Sequence, residues 1–455
     1  MKTLALFGGP ALAAALGVYL SATGSDAAVA WTAAVTVLCA VWWIFEPIPI
    51  PATSLLPLAV LPLVGVLTPA EVGESYGNSL ILLLMGGFML STAMERSGVH
   101  RRLALGMVNL FGGGGGRPLV FGFMLASAVL SMWISNTATT LMLLPIALAV
   151  IDQTRDHRLQ LALLLGIAYA GSVGGLGTPI GTPPNLIFMK VYTETTGIRL
   201  TFTDWMRWGL PVTAIMIPII GLWLTRRLEH SAPLRLPESG AWRSEEIRTL
   251  IVFMLTALAW VTRSEPFGGW SAMLGLPDAN DASVALLAVV VMFLLPNGHG
   301  EKLLDWKTAS SIPWGILILF GAGICIAKAF GNSGISTAIG EALSGLRHLP
   351  VLLVIAIICL TVTFLTEVTS NTATTALLMP IMAAAAVSSG LDPRLLMVPA
   401  AMTASCAFML PVATGPNAVI FSSGRVQIRE MAREGLILNL IGVVVVTLVC
   451  YFIFG

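Results

Sequence analysis

Four apolar stretches of this chain, 118–151, 159–192, 349–388 and 394–424, are interrupted near their middles by clusters of Ser, Thr, Asn, Gly and Pro. Such groups cost hydrogen-bonding free energy in lipid unless protein or a water-filled cavity surrounds them. The setting is lipid because of what surrounds the breaks. Uninterrupted apolar runs of spanning character lie near 3–21, 29–45, 51–67, 79–94, 203–225, 247–262, 283–296, 313–330 and 434–454. Only 10% of the 455 residues are charged, against roughly 25% in soluble proteins. A mean hydropathy of +0.89 excludes a disordered chain, and the shortage of charge argues against a soluble enzyme. The fold class is an all-α polytopic membrane protein. A formal net charge of +1 gives no reason to expect nucleic acid as a partner.

Several chemistries are absent from the residue pattern. Cys39, Cys325, Cys359, Cys406 and Cys450 lie in apolar runs without metal-ligand spacing and read as small hydrophobes. His100, His157, His230, His299 and His348 fall in polar connections, with no His pair at helical spacing. No Gly-rich loop precedes Lys-Ser or Lys-Thr, which argues against ATP-driven transport. The Gly112–Gly116 run reads as a linker. Lys2 followed by an apolar stretch to Leu20 resembles a secretory leader, but the stretch is long for one and reads as a retained first helix.

The interruptions come in matching pairs. Ser135-Asn136-Thr137-Ala138-Thr139-Thr140 recurs as Ser370-Asn371-Thr372-Ala373-Thr374-Thr375, an offset of 235. Pro145 matches Pro380, and the hydroxyls Ser131 and Thr366 precede the two motifs by four residues. Downstream, the break from Pro179 to Asn185 is echoed from Pro411 to Asn417 at an offset of 232, and Ile81–Gly87 aligns with Ile316–Ala322. The chain is an internal duplication with matching polar breaks. That is the pattern of a repeat-built secondary transporter with its site at the repeat interface.

Charge placement orients the repeats. With a cytoplasmic amino terminus and with 118–151 and 349–388 as re-entrant hairpins, 17 of the 24 basic residues fall inside. Outside remain Lys190, Arg199, Arg207, Arg263, Lys328, Arg347 and Arg394. The bias obeys the positive-inside rule and makes the two repeats inverted, with the carboxyl terminus outside.

The breaks suggest how an anion is held. A half-helix beginning after each tip points its N–H groups and the positive end of its dipole at a cavity. Asn and Thr donate to carboxylate oxygens, while carbonyl and hydroxyl oxygens of the same turns suit a hard cation such as Na⁺. Neither motif contains Lys or Arg, so an anion there needs cations from solution. A single Ser-Asn-Thr is more often a helix cap. Its duplication, each copy followed by a second break, favours a site.

These paired tips and paired Thr-Pro-Pro-Asn-like breaks resemble the divalent anion/sodium symporter family, which includes bacterial dicarboxylate and animal citrate carriers. The resemblance runs from Glu46-Pro47-Ile48-Pro49, where the third helix starts, to the last helix. It implies about eleven transmembrane helices plus two re-entrant hairpins, a homodimer, and a transport domain that moves as an elevator. It further implies scaffold helices in 1–117 and 226–348, and hairpins with transport-domain helices in 118–225 and 349–455. One sodium site would use Ser131, Ser135, Asn136 and the Gly181 carbonyl. A second would use Thr366, the Thr369 carbonyl, Asn371 and the Ala413 carbonyl. Substrate carboxylates would meet Asn136, Thr137, Asn371 and Thr372, with Thr182 and Thr414 nearby. Thr414-Gly415-Pro416-Asn417 departs from the family's usual two prolines, a difference that bears on substrate choice. Both Ser-Asn-Thr motifs are intact, which in the family goes with carboxylates more than sulfate.

The expected activity is sodium-coupled import of C4-dicarboxylates such as succinate, malate or fumarate across an inner membrane, with the dicarboxylate, sodium ions and lipid as partners. The alternatives are a carboxylate exchanger, or a citrate or sulfate carrier, of the same fold. No residue constellation points to an enzyme. Glu367, in an apolar stretch and separated from the second motif by two residues, is a candidate for proton coupling; a structural hydrogen bond or exposure to a water-filled mouth is the blander reading, and the better one because its repeat partner is Met132. Trp133 reads as packing or a mouth contact.

Overall fold

The interrupted stretches fold as helix, break, helix. The structure, a computed structural model, describes residues 2–111, 115–154, 156–228, 240–264, 268–336 and 349–455. Gly112–Gly114, Arg155, His230, Arg235, Arg347 and His348 lie outside the described residues. The first half contains α1 (Lys2–Ala22), α2 (Ala27–Phe45), α3 (Ile50–Leu63), α4 (Pro69–Tyr76), α5 (Ser79–Ser97) and α6 (Val99–Phe111). It continues through α7 (Gly116–Ser131), α8 (Asn136–Ile151), α9 (His157–Gly174), α10 (Pro183–Thr196) and α11 (Phe202–Thr225). The second half contains α12 (Ser244–Val261), α13 (Asp281–Leu294), α14 (Trp314–Ser333), α15 (Val351–Glu367) and α16 (Asn371–Ser388). It ends with α17 (Pro393–Ala404), α18 (Gly415–Ser422) and α19 (Ile428–Phe454). Extended pairing among the described residues is a single bridge between Pro296 and Lys302.

Each uninterrupted apolar run is a helix, within a few residues of its expected bounds. The run at 51–67 bends at Ser54, whose hydroxyl donates back to Ile50 O at 2.8 Å and accepts from Trp43 Nε1 at 3.1 Å. Two of the helices named above have no counterpart in the apolar runs. Helix α4 is started by a capping box in which Thr68 and Glu71 satisfy each other's backbone N–H. Helix α6 is amphipathic, with Val99, Ala104, Leu105 and Val108 buried beside a polar face of His100, Arg101 and Arg102. Its 3.6-residue period was the available signal.

The duplication holds at the level of helices. Helices α5 and α14 begin at Ser79 and Trp314, α7 and α15 at Gly116 and Val351, and α8 and α16 at Asn136 and Asn371, offsets of 235 each. The limbs of the first hairpin, α7 and α8, have 16 residues each. At 1.5 Å per residue that is about 24 Å, short of the roughly 30 Å of a bilayer core. Among the described residues eight helical stretches are long and apolar enough to cross a membrane, among them α1, α2, α11 and α19, and also α16, the second limb of the other hairpin.

Packing ties the halves together reciprocally. The second limb of the first hairpin, α8, packs on α18 of the other repeat, and α16 packs on α10. Helices α7–α11 and α15–α19 form one packed group, with α9 wedged against α7, α8, α11 and α18. A second group joins α5 to α12 and α13, and α14 to α2, α3 and α4. The groups meet where α14 touches α10 and α16 and where α2 touches α16, and α6 bridges them, packing on α7 as well as on α5 and α12. Close approach needs glycine at α9: a Cβ on Gly174 would lie 2.4 Å from Ala128 O.

The ion pairs respect the division of charge read from the sequence. Arg96 pairs with Glu301 and Asp305 at 2.7 and 2.5 Å, Arg102 with Glu246 at 2.9 Å, Arg226 with Glu434 at 2.8 Å, and Arg425 with Asp152 at 2.8 Å. All of these residues belong to segments assigned to one side. Arg263–Asp281, Lys328–Glu74 and Arg394–Asp392, at 2.6, 2.9 and 2.5 Å, join residues assigned to the other.

Glu367 is a tie between elements. Its carboxylate accepts from Met409 N and Leu410 N, each at 2.9 Å, and from Asn439 Nδ2 at 2.6 Å. Asn439 Oδ1 in turn accepts from Phe408 N at 3.0 Å. The end of α15 thereby holds the loop before α18 and the middle of α19. In the first repeat Met132 stands in this place, and its carbonyl accepts from the Thr178 hydroxyl. The mouth-exposed alternative does not apply, since Glu367 is 3% exposed. Glu367→Ala would leave three buried donors unpaired at about 1–3 kcal/mol each. The detergent-solubilised variant should melt several degrees below wild type, with Glu367→Gln, which keeps an acceptor, in between. An alanine variant melting with wild type would contradict the tie.

Candidate substrate and cation site

Four helices begin where the apolar stretches break. Ser135, Ser370, Thr182 and Thr414 occupy the N-cap positions of α8, α16, α10 and α18 with extended backbone, so the chain arrives straight and then coils. Pro183-Pro184 and Pro416 stabilise the first turns of α10 and α18, where a missing N–H is harmless. Of the four N-caps only Thr414 makes a side-chain capping bond, accepting from Asn417 N at 3.3 Å. First-turn N–H groups have no intrahelical partner, so the starts of α8 and α16 and Gly415 N at α18 present donors; at α10 Pro183 and Pro184 have no N–H and Asn185 N donates to Thr182 O at 3.2 Å, so that start offers its dipole end and the Thr182 hydroxyl.

These four starts line one cavity of about 150 Å³. All six residues expected to contact substrate line it: Asn136, Thr137, Thr182, Asn371, Thr372 and Thr414. Among the described residues its lining includes no Lys, Arg, His, Asp or Glu. The positive potential comes from helix ends, each worth roughly half an elementary charge. The far wall belongs to the other packed group: Leu84, Gly87, Phe88 and Ser91 of α5, with Pro313 and Ile316 at the start of α14. Sequence reasoning missed this wall. Its residues are ordinary members of apolar helices, and only the alignment of Ile81–Gly87 with Ile316–Ala322 hinted at a shared role.

The first set of expected cation ligands is brought together. Ser131 Oγ donates to Asn136 Oδ1 at 2.6 Å, and Ser135 and Gly181 line the same cavity as Asn136. A Cβ on Gly175 would lie 2.8 Å from Asn136 Oδ1 and 3.0 Å from Gly181 O, so both oxygens face one small volume that this glycine leaves open. Gly175 was another omission, because a Gly-Gly pair at a break reads only as a loop. The donors are oxygens, which suits a hard cation, and no cluster of three or more His, Cys, Asp or Glu exists among the described residues for a softer metal.

The second set is arranged differently. Asn371 lines the cavity, with Oδ1 accepting from Thr372 N at 2.8 Å. Thr366 sends its hydroxyl to Ala404 O at 3.0 Å instead of to Asn371. The Thr369 hydroxyl shares a 2.5 Å hydrogen bond with Thr374 and leaves its carbonyl as the expected ligand. Ala413 is buried just before the Thr414 cap, and neither Thr366, Thr369 nor Ala413 reaches the cavity lining.

The asparagines ending the two breaks set their shape. Asn185 Nδ2 donates to Gly175 O and Thr178 O at 2.9 and 2.8 Å. Asn417 Nδ2 donates to Ala407 O and Leu410 O, both at 3.0 Å. Each amide thus clamps the loop preceding its own helix. Trp133, beside the first tip, lines the cavity and stacks with Phe202 and Trp260 at centroid distances of 6.1 and 6.4 Å. It is therefore both packing and wall, and it joins the hairpin tip to α12.

The comparisons with known proteins agree with this architecture. Residues 13–454 match the family model described as the sodium:sulfate symporter transmembrane region. The chain is 40% identical over 445 residues to the sodium-dependent dicarboxylate transporters SdcS of Staphylococcus saprophyticus and Staphylococcus aureus, covering 92% of this chain and 85% of each relative. Two solved structures share the fold at low identity. The Alcanivorax borkumensis YdaH transporter superposes with a TM-score of 0.61 at 14% identity, over 86% of this chain and 87% of that one. Neisseria gonorrhoeae MtrF, of a class of antimetabolite efflux pumps, gives 0.61 at 15% identity over 87% and 85%. A match across nearly the whole length, on a chain whose paired breaks build one oxygen-lined cavity, makes this protein a member of the sodium:sulfate symporter family.

Proposed function

We propose that the chain is a secondary active transporter that imports C4-dicarboxylates with sodium ions. The observation that carries this reading is the convergence of four helix starts on a cavity lined without fixed cationic charge. Dipole ends and Asn and Thr donors recognise carboxylates, but they add no net charge to the body that moves. A dianion entering a cell against 100 mV works against about 4.6 kcal/mol, at roughly 2.3 kcal/mol per charge. Two bound Na⁺ cancel that term and a third makes uptake follow the potential. The names of the SdcS relatives support the same coupling.

In this reading Asn136, Thr137, Thr182, Asn371, Thr372 and Thr414 contact the carboxylates. Ser131, Ser135, Asn136 and Gly181 hold one sodium, and Thr366, Thr369, Asn371 and Ala413 hold another. The protein sits in the inner membrane as a homodimer surrounded by lipid, with about eleven crossings and two re-entrant hairpins in inverted repeats. Its amino terminus is cytoplasmic and its carboxyl terminus outside. The scaffold segments 1–117 and 226–348 stay fixed while 118–225 and 349–455 move as an elevator.

Proteoliposomes loaded without substrate should accumulate radiolabelled succinate under an inward Na⁺ gradient and not under a K⁺ gradient. Equal uptake in both, dependent only on internal dicarboxylate, would identify an exchanger instead. Asn136→Ala and Asn371→Ala each remove a carboxylate donor and a cation ligand from a buried site, and each should lower uptake by about 100-fold or more, as for loss of charge-assisted bonds of 1.5–3 kcal/mol at two ligands. Near-normal uptake in both variants would overturn the residue assignment.

A further inference from the structure

Gly415 has no backbone reason to be glycine. It is the first helical residue of α18, a position where proline is favoured, and it does not have positive φ. The first repeat supplies the comparison within the same chain, since Pro183 opens α10 at the matching position, an offset of 232. What differs is the neighbour. A Cβ on Gly415 would lie 2.0 Å from Thr137 Oγ1 and 3.1 Å from Thr137 Cβ, where ordinary contact is about 3.5 Å. The space that a side chain would occupy is therefore filled by Thr137 from the opposite hairpin tip. In the other half Thr372 turns its hydroxyl to Asn371 Oδ1 at 3.3 Å.

We propose that Gly415 is a specificity-determining residue that lets Thr137 withdraw into α18, making the Asn136 end of the cavity roomier than the Asn371 end and fitting a dicarboxylate substituted on the carbon next to one carboxylate. The inference rests on reading this cavity as the substrate site. Two ends built from the same motif would suit a symmetric dianion. The glycine-for-proline difference, beside the Trp133 wall that only the first end has, makes them unlike, and an unsymmetrical substrate profits from that. The extra group, a hydroxyl or methyl, lies beside Thr137, and the unsubstituted end lies beside Thr372 and Pro183.

The test is Gly415→Pro, the residue the first repeat already carries at this position, assayed in proteoliposomes under a Na⁺ gradient with succinate and 2,2-dimethylsuccinate. The proline ring pushes Thr137 into the cavity, so the KM ratio of the substituted to the plain substrate should rise by about tenfold, the worth of a methyl-sized fit. Adding Thr137→Ala should return the ratio towards wild type whatever it does to the absolute rate. If Gly415→Pro is not recovered as a monodisperse protein, Gly415→Ala carries the clashing Cβ alone and is read the same way. An unchanged ratio, or a raised ratio that Thr137→Ala does not relieve, overturns the inference while leaving the site intact. Wild-type vesicles that take up neither compound would overturn the reading of the cavity, and this inference with it.

Discussion

Everything in this structure depends on placing open helix starts inside an apolar layer. A helix start has N–H groups without intrahelical partners, and lipid offers none. The chain brings four helix starts together at one cavity, so that the open donors of α8, α16 and Gly415 face that space and not lipid, while Pro183 and Pro184 leave the start of α10 with fewer N–H groups to satisfy. The reciprocal packing of α8 on α18 and α16 on α10 makes this possible, because each hairpin tip is covered by the break of the opposite repeat. The clustered dipole ends then create a positive potential without a lysine or arginine.

That economy of charge has a mechanistic consequence. A site whose attraction for anions comes from dipoles remains neutral as a body, so a bound dianion alone would move two negative charges through the membrane. In the proposed reading, oxygen ligands for cations lie beside the carboxylate donors, and Asn136 serves both sets. On that proposal, binding of one partner would organise the residues that bind the other. The Ser131–Asn136 hydrogen bond at 2.6 Å illustrates this: the same amide oxygen that meets the hydroxyl is an expected cation ligand.

The two halves are alike in plan and unlike in detail. Glu367 ties the second break to α15 and α19 through Met409, Leu410 and Asn439, whereas the first break relies on close glycine contacts and the Thr178 hydroxyl. The paired breaks were legible because Ser, Asn and Thr within apolar runs are costly and, at an offset of 235, recognisable. The α5 and α14 wall was not, since Leu84 or Ile316 looks the same whether it faces lipid, core or cavity. Glu367 was visible as a buried carboxylate, but its partners are mainly backbone N–H groups some forty residues away, which no side-chain pattern records. Gly415 stood out as a departure at sequence level; its contact with Thr137 required coordinates.

If anion and cation sites are one unit, thermodynamic linkage must join the two binding equilibria. Equilibrium binding of succinate to the purified protein should be measured across Na⁺ concentrations at constant ionic strength, and Na⁺ binding across succinate concentrations. Coupled sites should give no succinate binding in K⁺ alone and a reciprocal tightening, each ligand raising the other's affinity by the same factor. Succinate affinity that does not change between Na⁺ and K⁺ would contradict the coupling.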